Sequence, residues 1–82
     1  MLVVSGVAIN RYRGEAIALT GRNITWGEIA EKSEMSEVAL RAIRNGKSSG
    51  STRSLGRLSD AYNSYGLNVT LGDLLVEMPD SP

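Results

Sequence analysis

Apolar residues recur along the chain in short stripes at three- and four-residue spacing, the period of helices that bury one face. The first stripe is Ile9, Tyr12, Ala16 and Leu19, ended by Gly21 and Asn23. Gly14 inside it weakens the helix by about 1 kcal/mol relative to alanine. A second helix opens at Thr25-Trp26-Gly27-Glu28, where the threonine oxygen can accept from the Glu28 amide while the Glu28 carboxylate reaches back. Ile24 and Ile29 flank this start as a hydrophobic staple; Ile29 and Ala30 form the buried face, with Ser33 as a further candidate, and the helix ends near Ser33 or Glu34. A third helix begins at Ser36, stapled by Met35 and Leu40 and closed by Gly46. Leu55, Leu58, Ala61, Tyr62 and Tyr65 mark a fourth, capped by Thr52 or Ser54 and stopped by Gly66. Thr70-Leu71-Gly72-Asp73 opens a fifth, with Val69 and Leu74 as staple and Leu75 beside it, before Pro79 and Pro82. Ahead of them all, residues 1–7 are apolar and β-branched, broken by Gly6, and read as a short strand or an extended arm.

The expected fold is therefore all-α: a bundle of about five short helices with an N-terminal arm over 1–7, a helical domain over 8–78 and a tail over 79–82. Helices two and three leave only about three residues between them, too few for an antiparallel return, so they must cross steeply as in a helix-turn-helix.

Size and composition narrow the chemistry. The 82 residues allow one small domain with a thin stability margin. There is no cysteine and no histidine, which removes disulfides, thiolate chemistry, the usual neutral-pH general base and the commonest metal ligand. Asp60, Asp73, Glu77 and Asp80 are too scattered for a metal site, and the expectation is no cofactor, no small-molecule substrate and no catalysis. Gly46-Lys47-Ser48 fails as a phosphate loop because Arg41 stands where its leading glycine would be. The charge-free N-terminal stretch, residues 1–10, lacks a basic lead-in and is too short to span a bilayer, so a cytoplasmic protein away from membranes is expected.

Net charge is zero, yet its distribution is uneven. Residues 1–23 carry +2, 24–37 carry −3, 38–59 carry +5 without a single acid, and 60–82 carry −4. A local field of one sign steers an anionic partner even where the average vanishes. Within the basic window the third helix turns Ala39, Leu40 and Ile43 to one side and Glu37, Val38, Arg41, Ala42 and Asn45 to the other. That outward mixture suits a DNA major groove: Glu37 can accept from cytosine N4, Val38 or Ala42 can meet a thymine methyl, and Arg41 can bridge guanine O6 and N7. Arg44, Asn45, Lys47, Arg53 and Arg57 are candidates for phosphates, with Ser48 and its neighbours as neutral donors. Arg57 also reads as a simple exposed side chain of the fourth helix. Thr25 and Ser36 read first as helix caps and second as positions that bring backbone N–H groups to a phosphate.

The run Thr25-Trp26-Gly27-Glu28-Ile29-Ala30 through Ser36, Leu40, Ile43, Asn45 and Gly46 resembles the lambda-repressor-like (Cro/XRE) helix-turn-helix family. Leu55, Leu58, Ala61, Tyr65, Gly66 and the pair Leu74-Leu75 continue the resemblance into that family's fourth and fifth helices. It implies a double-stranded-DNA-binding transcriptional regulator, a repressor acting as a homodimer on a two-fold-related operator. The chain departs from the family pattern in four places. Trp26 stands where a phosphate-donating glutamine is usual; its indole N–H can still donate, and packing is the alternative. Glu34 occupies a turn position often held by glycine. Arg44 replaces a glutamate that pairs with a base on the first helix, which leaves Glu15 as a candidate for a reversed pair. The loop after Gly46 is longer. Leu71, Leu75, Val76 and Met78 leave little polar face on the fifth helix and are the candidate dimer contacts, with the N-terminal arm as an alternative. The competing expectation is a protein-interaction module, antitoxin-like, in which DNA binding is secondary.

Overall fold

The computed structural model describes residues 2–77. The chain runs through β1 (Leu2–Val4), α1 (Gly6–Thr20), α2 (Trp26–Lys32), α3 (Glu37–Arg44), α4 (Thr52–Asn63), a single 3₁₀ turn (Leu71–Leu74) and β2 (Leu75–Glu77). It is mostly helical, with four α-helices among the described residues and one two-stranded antiparallel sheet.

Polar caps set the helix starts. Ser5, Thr25, Ser36 and Ser51 each adopt an extended backbone and accept an amide from three residues ahead. The cap of α4 is thus Ser51, one residue before the expected Thr52; three hydroxyl residues within 51–54 offer the same local chemistry, and only packing selects among them. α1 starts at Gly6, two residues ahead of the expected boundary, and ends where Gly21 turns left-handed at φ 71°. α4 ends at Asn63, after which the Tyr65 and Gly66 amides donate three residues back to Tyr62 and Asn63 and Gly66 turns left-handed at φ 102°; the Asn63 side chain is held across Val69, accepting its N–H at 2.6 Å and donating to its carbonyl at 2.9 Å.

Ile9, Ala16, Ile24, Ile29, Ala30, Leu40, Ile43, Leu55, Leu58, Tyr62, Tyr65, Val69 and Leu74 form one continuous core. All three staples contribute to it, with Met35 half-buried against the rest. The fourth-helix stripe is buried throughout, and Ser33 joins the interior by donating its hydroxyl to the Ile29 carbonyl. Tyr62 is fully buried, and its hydroxyl donates to the Ile9 carbonyl at 2.7 Å, tying α4 to α1. The α1 stripe holds at Ile9 and Ala16 but not at Leu19, which is 57 % exposed. At 3.6 residues per turn Leu19 has drifted about 80° from Ile9, away from the core.

The expected fifth helix is corrected. Thr70 and Asp73 close a reciprocal capping box around one 3₁₀ turn, and Leu75 then leaves helical space at φ −113°, ψ 153°. The segment that follows pairs with the N-terminal arm in the register Leu2↔Glu77, Val3↔Val76 and Val4↔Leu75. A segment this short is a marginal helix, whereas β1 offers a ready ladder for its backbone groups. Each end of the chain thereby settles the other, and the arm reading of residues 1–7 becomes a strand over Leu2–Val4. Leu71 and Leu75 pack half-buried against the protein's own core, Val76 is exposed, and Met78 and the tail 79–82 lie outside the described residues.

A close approach places α1 against the end of α3. A Cβ on Gly6 would fall 2.1 Å from the Arg44 carbonyl oxygen, so only glycine permits the contact without backbone movement.

Candidate nucleic-acid interface

α2 and α3 are joined by residues 33–36. The turn between them is tight: the Met35 amide donates to the Ala30 carbonyl, and Glu34 is left-handed at φ 57°. Glu34 thus occupies the conformation that favours glycine, and its carboxylate meets Arg57 of α4 at 3.3 Å. Arg57 is therefore engaged within the molecule rather than free for an outside anion.

α3 is anchored by Leu40 and Ile43, both buried, and presents Glu37, Val38 and Arg41 to solvent, with Asn45 exposed just past its end. Val38 is 76 % exposed, an apolar side chain on a helix with nothing over it. Two expectations for this helix are corrected. Ala39, assigned to the inner side, is exposed at the capped first turn, where its amide donates to Ser36 Oγ. Ala42, assigned to the outer side, is half-buried beneath the returning chain, whose Lys47 and Ser48 amides both donate to its carbonyl. The Glu37 carboxylate lies over the first turn of α2, within 3.3 Å of where a Gly27 Cβ would sit.

The loop after α3, residues 45–51, is exposed, as are Thr52 and Arg53 in the first turn of α4. Among the described residues Arg41, Lys47 and Arg53 have no ion pair. Ser48 is exposed, its hydroxyl accepting the Gly50 amide at 3.2 Å. Thr25 and Ser36 hold their caps.

Arg44 behaves differently. Its guanidinium lies 4.0 Å from the centre of the Trp26 ring, and its Nε is buried without a hydrogen-bond partner. Burial, then the nearby Arg41 charge and, more weakly, Arg13, lower its pKa. The reversed pair with Glu15 does not form; Glu15 sits one turn from Arg11 on α1 and pairs with it at 3.4 Å. The indole thus takes the place of the acid as Arg44's neighbour.

Arg13 joins this corner, and sequence reasoning missed it. Its guanidinium is 5.1 Å from the same indole, and its Nε donates to the Ile24 carbonyl at 2.7 Å. The signal was its place four residues after Ile9 and three before Ala16, on the edge of the buried stripe, where a long cationic side chain must find something to lie on.

At the start of α2 Arg22 grips Glu28 through two hydrogen bonds, at 3.0 and 2.9 Å, while the Tyr65 hydroxyl donates to the same carboxylate. The Arg22 hydrogen bonds first, then that of Tyr65, lower the Glu28 pKa to about 2; burial, then the Glu28 hydrogen bond, raises Tyr65 to about 12.

No family model, curated protein or solved structure matches the chain. Among the described residues no helix is long and apolar enough to cross a membrane, and no three acidic side chains gather as a metal site.

Proposed function

We propose that the chain is a sequence-specific double-stranded-DNA-binding transcriptional regulator of the lambda-repressor-like (Cro/XRE) helix-turn-helix type, acting in the cytoplasm as a homodimeric repressor. The observation that carries this reading is the outer face of α3. Val38 and Arg41 are exposed on a helix whose opposite side is fixed in the core, and the cations Arg41, Lys47 and Arg53 have no ion pair among the described residues. A face that combines an apolar contact, a guanidinium and an amide reads base edges, and the unpaired cations around it hold phosphates. Repression follows from occupancy of promoter DNA by two copies on half-sites about 34 Å apart.

Selection of bound duplexes from a random pool tests this directly. The expected result is an enriched inverted repeat, with discrimination lost in Arg41→Ala. Log affinity falls with log salt at a slope of about −0.9 for each phosphate that a cation neutralises. Absence of any enriched duplex overturns the reading. A second reading, a partner-binding module, is favoured by exposed Leu2 and Val76 on the strand pair; it predicts that substitutions there abolish capture of a partner and leave duplex binding intact.

A further inference from the structure

Glycine stands at Gly14, Gly27 and Gly56, inside α1, α2 and α4, where alanine would favour the helix. A Cβ added at Gly14 or Gly56 meets nothing within 4 Å. At Gly27 it would lie 3.3 Å from Glu37 Cδ and Oε1 and 3.5 Å from Oε2, against the whole carboxylate. Gly27 is not among the residues of positive φ, so its backbone does not demand glycine. What glycine supplies there is room. The bare Cα leaves a seat on the first turn of α2, and Glu37, the first residue of α3, folds its carboxylate against it. The Met35 amide, donating to the Ala30 carbonyl, closes the turn between the two helices and keeps seat and side chain in register. Among the described residues Glu37 has no ion pair. Its carboxylate is therefore placed by shape and remains free to accept.

We propose that Gly27 is a specificity-determining position: the room it leaves on α2 sets where the Glu37 carboxylate stands on the outer face of α3, and so how that carboxylate tests a base pair. The proposal rests on the reading of the chain as a duplex binder and adds a positioning residue that acts through Glu37. An ionised carboxylate can only accept hydrogen bonds. In a major groove the cytosine N4 amino group satisfies it, whereas guanine N7 and O6 and thymine O4 are acceptors and repel it. Discrimination of this kind depends on placement, with a reading group held to within about 0.5 Å of its productive geometry. A methyl group on residue 27 would enter at 3.3 Å, inside the optimal separation of about 3.5–4.0 Å, and the long Glu37 side chain must shift to admit it. A branched side chain there shifts it further.

Selection from a random duplex pool, with the native chain and with Glu37→Ala, identifies the base pair that Glu37 reads as the one whose preference falls about tenfold in the variant. The four duplexes that differ only at that pair are then titrated with Gly27→Ala, Gly27→Val and the double variant Gly27→Ala/Glu37→Ala, each shown to be folded by thermal unfolding. Expected is a graded loss of preference at that pair, about threefold in Gly27→Ala and about tenfold in Gly27→Val. The salt slope stays unmoved, because no phosphate contact is removed. With Glu37 already replaced, Gly27→Ala has no further effect on preference, as a position acting through the carboxylate requires. Alanine favours the helix over glycine, so Gly27→Ala carries the test if the valine variant does not fold. A Glu37→Ala chain that keeps every preference, a flat Gly27 series, or the same shift without Glu37 overturns the proposal and leaves the function intact. A native chain that selects no duplex overturns the function, and this role with it.

Discussion

Two stretches of this chain share the spacing threonine, two residues, acid, and they end in different structures. At Thr25 the side chain accepts the Glu28 amide and a seven-residue helix follows. At Thr70 the same contact forms with Asp73, the Asp73 carboxylate also reaches back to the Thr70 amide, and the helix stops after one 3₁₀ turn. The locally complete box precedes the shorter element. Glu28 is drawn off by Arg22 and Tyr65, which bind α2 to the loop before it and to the residues after α4. Asp73 has no such competitor, and the residues beyond it meet β1. A capping signature thus marks where a helix can begin; what the following residues touch decides how far it runs.

The largest loss of stability comes from removing the apolar residue that each start carries into the core. Ile29 and Leu74 are both fully buried, so Ile29→Ala and Leu74→Ala should each cost about 2–5 kcal/mol in urea unfolding. A cost for Leu74→Ala well below 1 kcal/mol would mean that the C-terminal turn is not part of the core.

Removing the caps themselves has a smaller effect. Thr25→Ala and Thr70→Ala should each lose about 1 kcal/mol, because each leaves one amide without its side-chain acceptor. Circular dichroism separates them further: the first variant loses helical signal on heating before the rest of the protein unfolds, the second leaves the helical signal unchanged.

Proton titration sharpens the contrast with the least perturbation. Glu28, held at about 2, has a folded pKa below its ordinary 4.5, so its stabilisation is complete above pH 4.5 and is lost as pH falls from there toward 2. Asp73 is lowered as well, by hydrogen bonds from Thr70, and loses its contribution in the same acid direction. Salt tells the two apart: it weakens the ion-paired Glu28 contribution and leaves the hydrogen-bonded Asp73 contribution nearly unchanged. Tyr65 has the opposite sign. Its raised pKa of about 12 means stability is complete below its ordinary value of 10 and declines as pH rises from 10 to 12. Melting temperature against pH, compared between the native chain and Glu28→Gln, should show the acid flank flattened in the variant and the alkaline flank largely retained, because burial is the larger cause of the raised Tyr65 pKa.

Much of the candidate interface was legible before folding. Leu40 and Ile43 face inward and Val38 and Arg41 outward because a helix repeats every 3.6 residues, and Ser36 and Gly46 bound it by chemistry confined to a few neighbours. The error at Ala39 falls on the border between faces, where the helix period is ambiguous, whereas Ala42 lies outward by the period and is half-buried only because the chain returning through Lys47 and Ser48 passes over it. Arg44 looked like one more phosphate contact. Its place on the Trp26 ring is a contact between α3 and α2 that no local pattern encodes.

By itself the sequence determined where helices can start, which stripes are buried, and that the positive charge is concentrated between residues 38 and 59, since caps, periodicity and charge are properties of nearby residues. Tertiary structure alone decided that the last segment is a strand, that Glu28 belongs to Arg22 and Tyr65, and that Arg13 and Arg44 share one indole. Each of those outcomes is a competition for a partner distant in the chain, and hydrogen bonds, ion pairs and cation–π contacts are awarded by distance in space.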